Sequence, residues 1–209
     1  STPRSQAPSE SCWSMAYNKT EHLRLNIEAL RTAFALEREG RTATPQEQET
    51  LRAYSGFGAI KEVLEPLPHK KTTALTPLVE ELHTLLKENT PDERAYKRYF
   101  DGIKSSVLTA FYTPPAVTDA IADIVCDSAG DLRRILEPSA GTGAFVDGIR
   151  HYAPEVGITC FEKDPATGLI LKHLHPEAEV RVEGYERIES AWNDSYDLAV
   201  SNIPFGDVM

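Results

Sequence analysis

The stretch from Ile135 to Phe145, ILEPSAGTGAF, joins a short apolar run to a glycine-rich turn. The apolar run ends at Glu137, and Gly141 and Gly143 then allow the backbone to turn sharply into the next segment. An apolar run, a glycine turn and a helix in this order are typical of the first strand of a parallel α/β sheet. The stretch therefore predicts a strand whose ligand-binding residues lie at its carboxyl end.

Three more apolar runs follow, with the spacing expected for such a sheet. They are GITCFEK (157–163), AEVRVEG (178–184) and YDLAVSN (196–202). Helical stretches near residues 143–152 and 165–174 separate the first three strands, whereas YERIESAWNDS (185–195) is too short for a full helix. Strand–helix alternation predicts a parallel sheet with right-handed crossovers. The expected fold class is α/β, with a partial doubly wound (Rossmann-like) sheet preceded by an all-α domain.

Threonine–proline pairs mark the predicted helix starts before and beside this sheet. Threonine can accept a hydrogen bond from an orphan backbone N–H, and proline lacks the N–H that would be orphaned. The pairs at Thr44 and Thr90 also have glutamate at the third following position, which completes a capping box. We therefore expect helices to begin near the prolines of the four pairs: Pro45, Pro77, Pro91 and Pro114.

The chain divides into three predicted parts. Residues 1–16 are rich in Ser, Pro and Gln and are expected to be a flexible arm. Residues 17–107 are predicted to form a helical domain, and residues 108–209 contain the four strands. One apolar stripe at helical spacing opens the helical domain: Leu23, Ile27, Leu30 and Phe34.

Composition limits the classes of function. The formal net charge of −10 argues against a surface that coats nucleic acid within these residues. No apolar stretch is long enough to span a bilayer and no signal peptide is present, so we expect a cytoplasmic protein without membrane contact. The cysteines Cys12, Cys126 and Cys160 are scattered, and His173 and His175 would point to different faces of a helix. No metal site is predicted.

Two acidic residues stand at the predicted carboxyl ends of neighbouring strands. A nicotinamide-dinucleotide fingerprint would place a third glycine at position 146, where this chain has Val146, so a feature expected for holding a diphosphate is missing. Glu137 suits a cationic ligand group, and Glu162, 21 residues after Gly141, suits the two hydroxyls of a ribose. A ribose and a positive charge without a diphosphate describe S-adenosylmethionine.

Four segments in this order resemble the γ-ordered amino-methyltransferases that modify adenine N6 in DNA. They are AFYTPPAV (110–117), ILEPSAGTGAF (135–145), CFEKD (160–164) and YDLAVSNIPFG (196–206). Three further segments, NKTEHLRLNIEAL, YSGFGAIKEVL and SVLTAFYTPP, are similar to the methylase portion of very large methylase–helicase proteins of bacterial mobile elements. The resemblance begins at about residue 17. It implies an S-adenosylmethionine-dependent enzyme that acts on DNA, with a helicase-like region in the same parent chain.

The resemblance also implies roles for individual residues. The Asn202 side-chain oxygen and the Ile203 carbonyl would accept hydrogen bonds from the target amine, and Phe205 would stack on a flipped base. The implied catalytic residues are Asn202, Ile203, Pro204 and Phe205. The implied cofactor-binding residues are Tyr112, Thr113, Glu137, Pro138, Ser139, Ala140, Gly141, Gly143 and Glu162.

The chain departs from the family pattern at three places. Ile203 replaces the first proline of the Asn-Pro-Pro-Tyr/Phe loop. Tyr185 stands where the family often has an aspartate against the cofactor adenine, and Glu183 and Glu186 are both alternatives for that contact. Lys163 occupies a position where an apolar residue commonly packs on that adenine.

The resemblance implies a fold of seven strands, of which four are predicted here, in the order 3-2-1-4. We therefore expect residues 108–209 to be the N-terminal half of a truncated methyltransferase domain that is itself inactive, with the DNA-reading surface beyond Met209. Three alternatives stay open: a protein-glutamine methyltransferase, an N4-cytosine methyltransferase, and a non-catalytic cofactor-binding module of a larger DNA-processing protein.

Overall fold

A computed structural model describes residues 18–64, 72–109, 113–128 and 130–203. Within these ranges the protein has a mixed α/β structure of seven α-helices and four β-strands. The helices are α1 (Lys19–Glu39), α2 (Pro45–Arg52), α3 (Thr76–Glu88), α4 (Glu93–Thr109), α5 (Pro115–Ser128), α6 (Ala144–Tyr152) and α7 (Pro165–Leu174). The strands are β1 (Arg134–Glu137), β2 (Gly157–Phe161), β3 (Glu179–Arg181) and β4 (Leu198–Ala199). The predicted arm, residues 1–16, lies outside the described ranges.

The four strands form one parallel sheet with the order β3-β2-β1-β4, as the sequence predicted. β1 is central and pairs with β2 on one side and β4 on the other. Since all four strands run parallel, their carboxyl ends meet along one side of the sheet. We call this side the carboxyl edge and define it as residues 137–143, 162–164 and 200–203.

The two faces of the sheet are covered differently. Helices α5 and α6 and Leu171 of α7 pack on one face, in a core that includes Ile135, Ile158 and Cys160. Phe161 points to the opposite face, because alternate residues of a strand face opposite ways. There the connection from β3 to β4 lies against it, as two 3-10 turns (Tyr185–Arg187 and Ser190–Trp192) instead of a full helix. The rings of Tyr185 and Trp192 meet Phe161 edge-on, with centroids 5.6 and 6.3 Å away.

Helices α1–α4 form a second core that also includes one side of α7. The predicted stripe of α1 is confirmed, since Leu23, Ile27, Leu30 and Phe34 are at most 7% exposed. Residues Ala166, Leu169, Ile170 and Leu174 of α7 belong to this core as well. Helix α7 is therefore buried from both sides, which fits a helix that is apolar around most of its circumference.

The capping box predicted at Thr44 is present. The Thr44 hydroxyl accepts from the backbone N–H of Glu47, the Glu47 side chain accepts from the Thr44 N–H, and Pro45 is the first helical residue. Helix α3 begins at Thr76 and α5 at Pro115, each one residue from the predicted proline. No helix in the described ranges combines the length and the apolar character needed to cross a bilayer.

The second predicted capping box, at Thr90, is wrong. Helix α4 begins at Glu93, and Asp92 is the residue whose side chain accepts from a first-turn N–H, that of Ala95 at 2.7 Å. The Thr90 hydroxyl instead donates to the Leu86 carbonyl at 2.9 Å, at the end of α3. Two short polar side chains compete for one helix start, and the one nearer to α4 caps it.

Candidate functional site

Glu137 ends β1 and is buried at the carboxyl edge, with 1% of its surface exposed. Its Oε1 accepts from the backbone N–H of Ser139 at 3.3 Å, whereas its Oε2 has no hydrogen-bond partner among the described residues. Burial raises the pKa of Glu137 to about 7, and the nearby Ser201 hydroxyl and the Ser139 N–H offset part of the rise. A buried carboxyl with an unused oxygen can receive a cationic group that restores its charge.

Ser201 brings a second buried polar atom to Glu137. The pairing of β1 and β4 continues past the strand, because the Val200 N–H donates to the Leu136 carbonyl at 3.0 Å. This register places the Ser201 hydroxyl close enough to lower the pKa of Glu137. The geometry still falls short of a hydrogen bond, and Ser201 Oγ has no partner within the described part of the chain. Sequence reasoning did not single out Ser201, since only the pairing of distant strands reveals its neighbour.

Glu162 follows β2 and ties two turns of the carboxyl edge together. Its Oε2 accepts from the Gly141 N–H and its Oε1 from the Asp164 N–H, both at 2.8 Å. Burial raises the pKa of Glu162 to about 7, although these backbone hydrogen bonds act to lower it. Each carboxylate oxygen has a second lone pair, so two further hydrogen bonds from a ligand remain possible.

Asp164 caps α7 directly behind Glu162. Its side chain accepts from the backbone N–H groups of Ala166 and Thr167 and, at 2.6 Å, from the Thr167 hydroxyl. Gly102 of α4 lies so close that a Cβ atom there would be 2.3 Å from Asp164 Oδ1. The helical region thus touches the carboxyl edge, a contact that the sequence did not predict.

The glycine turn has the predicted sharp geometry. Gly141 and Gly143 both adopt positive φ angles, of 57° and 93°. Pro138, Ser139 and Ala140 lead from β1 into this turn, and the Gly143 N–H donates to the Ala140 carbonyl at 2.9 Å.

Gly143 also makes room for a side chain of the protein itself, a contact that the sequence did not predict. A Cβ atom on it would lie 2.3 Å from Nε2 of His175, the residue that follows α7. This Nε2 also lies 3.3 Å from the Thr142 carbonyl oxygen, and burial lowers the pKa of His175. The missing Cβ therefore makes room for the end of α7 beneath the turn.

The two histidines that sequence reasoning compared do point apart. His175 supports the glycine turn, whereas His173 Nε2 lies 3.1 Å from Glu37 Oε2 on α1. No group of three or more metal-binding side chains occurs in the ranges that the structure describes.

Asn202 extends from the end of β4 and contacts the segment before α5. Its Nδ2 donates to Thr113 Oγ1 at 2.9 Å, across 89 residues of sequence. Asn202 and Ile203 are both exposed, Ile203 to 62%. Tyr112, Pro204 and Phe205 lie outside the described residues, so their predicted roles stay predictions.

The residues expected near a cofactor adenine lie beside Glu162. Lys163 Nζ is 3.8 Å from Glu186 Oε1, and both side chains are mostly exposed. Tyr185 is 43% exposed and packs edge-on against Phe161. A shallow cavity of about 370 Å³ lies elsewhere, between the ends of α1 and α7, and none of the predicted site residues lines it.

Comparison with known proteins gives one local similarity. No family profile matches the chain, and no solved structure matches it. Over 108 residues, 50% of the chain, the sequence is 37% identical to the Defense against restriction protein B of Escherichia phage P1. The matched region is 4% of that protein, so the similarity covers a small part of a much longer relative.

Proposed function

We propose that this chain carries the cofactor-binding and catalytic residues of an S-adenosylmethionine-dependent methyltransferase that modifies adenine N6 in DNA. One observation supports the proposal most directly. The carboxyl edge gathers a buried carboxyl with an unused oxygen, a second carboxyl bound to a glycine turn, and an exposed asparagine amide. The parallel sheet with strand order 3-2-1-4 agrees with one half of a Rossmann-like fold, in which ligands bind at this edge.

The two carboxyl groups fit different parts of the cofactor. Glu137 Oε2 and Ser201 Oγ are buried and unpaired with any residue that the structure describes, and together they can accept hydrogen bonds from an ammonium group. Glu162 has its two oxygens fixed by backbone N–H groups and can accept further hydrogen bonds from two ribose hydroxyls. The cofactor would supply a methyl group activated by a sulfonium.

Asn202 and Ile203 fit the substrate side of the edge. An exocyclic amine on an aromatic base is a weak nucleophile, because its lone pair is delocalised into the ring. The Asn202 Oδ1 and the Ile203 carbonyl can each accept one N–H of the amine, which favours a pyramidal nitrogen and stabilises its developing positive charge. Both residues are exposed and therefore accessible to a substrate.

The choice of DNA as substrate is supported by resemblance and by the relative's name. The order of the motifs resembles the N6-adenine class, and the phage P1 protein is named for defence against restriction, a process that acts on DNA. The net charge of −10 implies that other parts of a longer protein supply most of the DNA-binding surface.

Calorimetric titration with S-adenosylhomocysteine tests the cofactor site. We expect the chain to bind, and Glu162→Gln to weaken binding about tenfold or more, since hydrogen bonds to a charged group contribute about 1.5–3 kcal/mol each. Glu155→Gln is the matched control, because Glu155 is an exposed glutamate before β2, at the opposite side of the sheet. Equal affinity of the two variants would remove Glu162 from the site, and no binding by the wild type would contradict the cofactor proposal.

Methyl transfer is tested in the full natural chain that contains these residues. With a methyl-labelled donor and unmethylated DNA, we expect label in N6-methyladenine, and Asn202→Ala should abolish it without changing cofactor affinity. Label in N4-methylcytosine or in a protein glutamine would move the protein to the corresponding alternative class. A chain that binds the cofactor but transfers no label would be a non-catalytic module.

A further inference from the structure

The hydrogen bond between Asn202 and Thr113 joins the carboxyl edge to the segment before α5. Thr113 directly precedes Pro114 and α5, whereas Asn202 follows β4. The amide nitrogen of Asn202 lies 2.9 Å from the Thr113 hydroxyl oxygen. The orientation of the Asn202 amide therefore depends on a residue outside its own loop.

An asparagine amide presents a donor on one side and an acceptor on the other. A rotation of 180° about the last side-chain bond exchanges the two and places the NH2 group where the oxygen was. An amine substrate needs the oxygen, because two opposed N–H donors cannot form a hydrogen bond. An exposed asparagine without a fixed partner would populate both orientations.

Building on the function proposed above, we infer that Thr113 is a positioning residue that holds the Asn202 side chain in place, and that in the structure it does so with the amide oxygen left free for the amine substrate. The Thr113 oxygen accepts from Nδ2, which leaves Oδ1 at the other end of the planar amide group. One lone pair of Oδ1 can then accept from the amine substrate, and its other lone pair and the second N–H of Nδ2 are available to water. Thr113 acts through Asn202 and does not itself touch the reacting nitrogen.

The proline after Thr113 strengthens this role. A residue before proline is restricted to extended backbone conformations, so the Thr113 side chain starts from a narrow range of positions. Its β-branched side chain adds a second restriction, on χ1. The hydroxyl is thus held in place by covalent geometry, and the more exposed Asn202 side chain adapts to it.

Side-chain amide NMR tests the hydrogen bond in the 209-residue chain, independently of activity. In Thr113→Val, which keeps the β-branched shape, we expect a shifted Asn202 amide resonance and hydrogen exchange about twofold to tenfold faster, as for the loss of one hydrogen bond. Thr113→Ser should leave both properties near wild type. Thr84→Val, on the exposed face of α3, is the control and should change neither. An unchanged Asn202 amide in Thr113→Val would overturn the inference.

Kinetics in the full natural chain then test the role in methyl transfer. At saturating cofactor, Thr113→Val should lower kcat about tenfold to a hundredfold, the range expected for a misplaced reacting geometry. Thr113→Ser should restore kcat. A kcat of Thr113→Val equal to that of an active wild type would overturn the positioning role. A wild-type chain that transfers no methyl group would contradict the proposed function, and the NMR result would still decide whether Thr113 orients Asn202.

Discussion

Asn26 in the helical region and Glu137 at the carboxyl edge are both buried polar side chains. In Asn26 each polar side-chain atom has a hydrogen-bond partner, whereas in Glu137 only one of the two oxygens has one among the described residues. Asn26 is 0% exposed, its Nδ2 donates to the Gly56 carbonyl at 2.5 Å, and its Oδ1 accepts from the Ser55 N–H at 2.9 Å. Glu137 is equally buried, yet one of its oxygens has no partner in the described ranges. A satisfied buried amide stabilises a fold, whereas a half-satisfied carboxyl costs stability.

The contrast between Asn26 and Glu137 corresponds to their different places in the fold. In the helical region Asn26 fixes a loop, since Ser55 and Gly56 belong to the turn between α2 and the following 3-10 turn (Lys61–Leu64). At the carboxyl edge the buried polar groups face the ends of strands, where ligands bind in parallel sheets. The hydrogen bonds that these groups do not form would otherwise stabilise the fold, and unsatisfied groups of this kind are common at functional sites.

The largest loss of stability is expected when the hydrogen-bonded Asn26 side chain is removed. Asn26→Leu leaves the Gly56 carbonyl and the Ser55 N–H without their partner, and each lost bond of this kind costs about 1–3 kcal/mol. We expect the free energy of unfolding in urea to fall by about 4 kcal/mol. Asn193→Ala, at an exposed position, is the control and should change it by less than about 0.5 kcal/mol. A loss below about 1 kcal/mol in Asn26→Leu would contradict the structural role of Asn26.

The next largest loss of stability is expected at Gly143, in comparison with Gly40, another glycine with a positive φ. Gly143→Ala should lower the free energy of unfolding by about 3 kcal/mol, because the new Cβ meets His175 in addition to the unfavourable φ of 93°. Gly40→Ala, at the end of α1, has a similar φ of 63° but open space around the Cβ, so about 1 kcal/mol is expected. Thermal unfolding of both variants measures the difference. Equal losses would mean that the end of α7 yields to the new methyl group.

Removing the unsatisfied carboxyl of Glu137 should raise the free energy of unfolding, which is the opposite of the effect expected at Asn26. The folded pKa of Glu137, about 7, lies above its ordinary value of 4.5. The folded state therefore binds the proton more tightly, so this contribution to stability is complete below about pH 4.5 and is lost as pH rises through 7. Glu137→Gln removes the buried charge and should raise the free energy of unfolding at pH 8 by about 2–3 kcal/mol, with little change at pH 4.5.

Urea unfolding at both pH values checks the Glu137→Gln prediction, with Glu155→Gln as an exposed control that should be neutral at each. A variant that is less stable than wild type at pH 8 would show that the Glu137 carboxylate already has a stabilising partner.

The smallest effect is expected for an exposed ion pair that links the two regions. Arg52 of α2 lies 2.9 Å from Asp147 of α6, with the side chains 52% and 48% exposed. Exposed pairs of this kind contribute about 0.2–1 kcal/mol. A double-mutant cycle with Arg52→Ala and Asp147→Ala should give a coupling energy in that range, which falls at high salt. A coupling above about 2 kcal/mol would place this pair among the main links between the regions.

Features encoded in short segments could be predicted from the sequence. Thr44, Pro45 and Glu47 carry the whole capping box of α2 within four residues, and the structure has it. Glu137 and Glu162 were placed at the ends of neighbouring strands because strand–helix alternation fixes which ends meet. The strand order 3-2-1-4, which was expected from the resemblance to a known family, is also the order in the structure.

Features that depend on residues far apart in sequence could not be predicted. His175 takes the space beside Gly143 from 32 positions away, and no pattern in the sequence connects these two residues. Ser201 reaches Glu137 only through the pairing of β4 with β1. Thr90 and Asp92 are two residues apart and either side chain could cap α4. In the structure Asp92 caps α4, and Thr90 donates to the end of α3.

The burial of α7 by both cores has a consequence for cooperativity. One side of this helix completes the core of α1–α4, and Leu171 on its other side completes the core of the sheet. If either core opened alone, α7 would expose an apolar side to water, and the remaining core would lose part of its own packing. We therefore expect the two regions to unfold together. The backbone amides of α7 should stay protected from hydrogen exchange until both cores open.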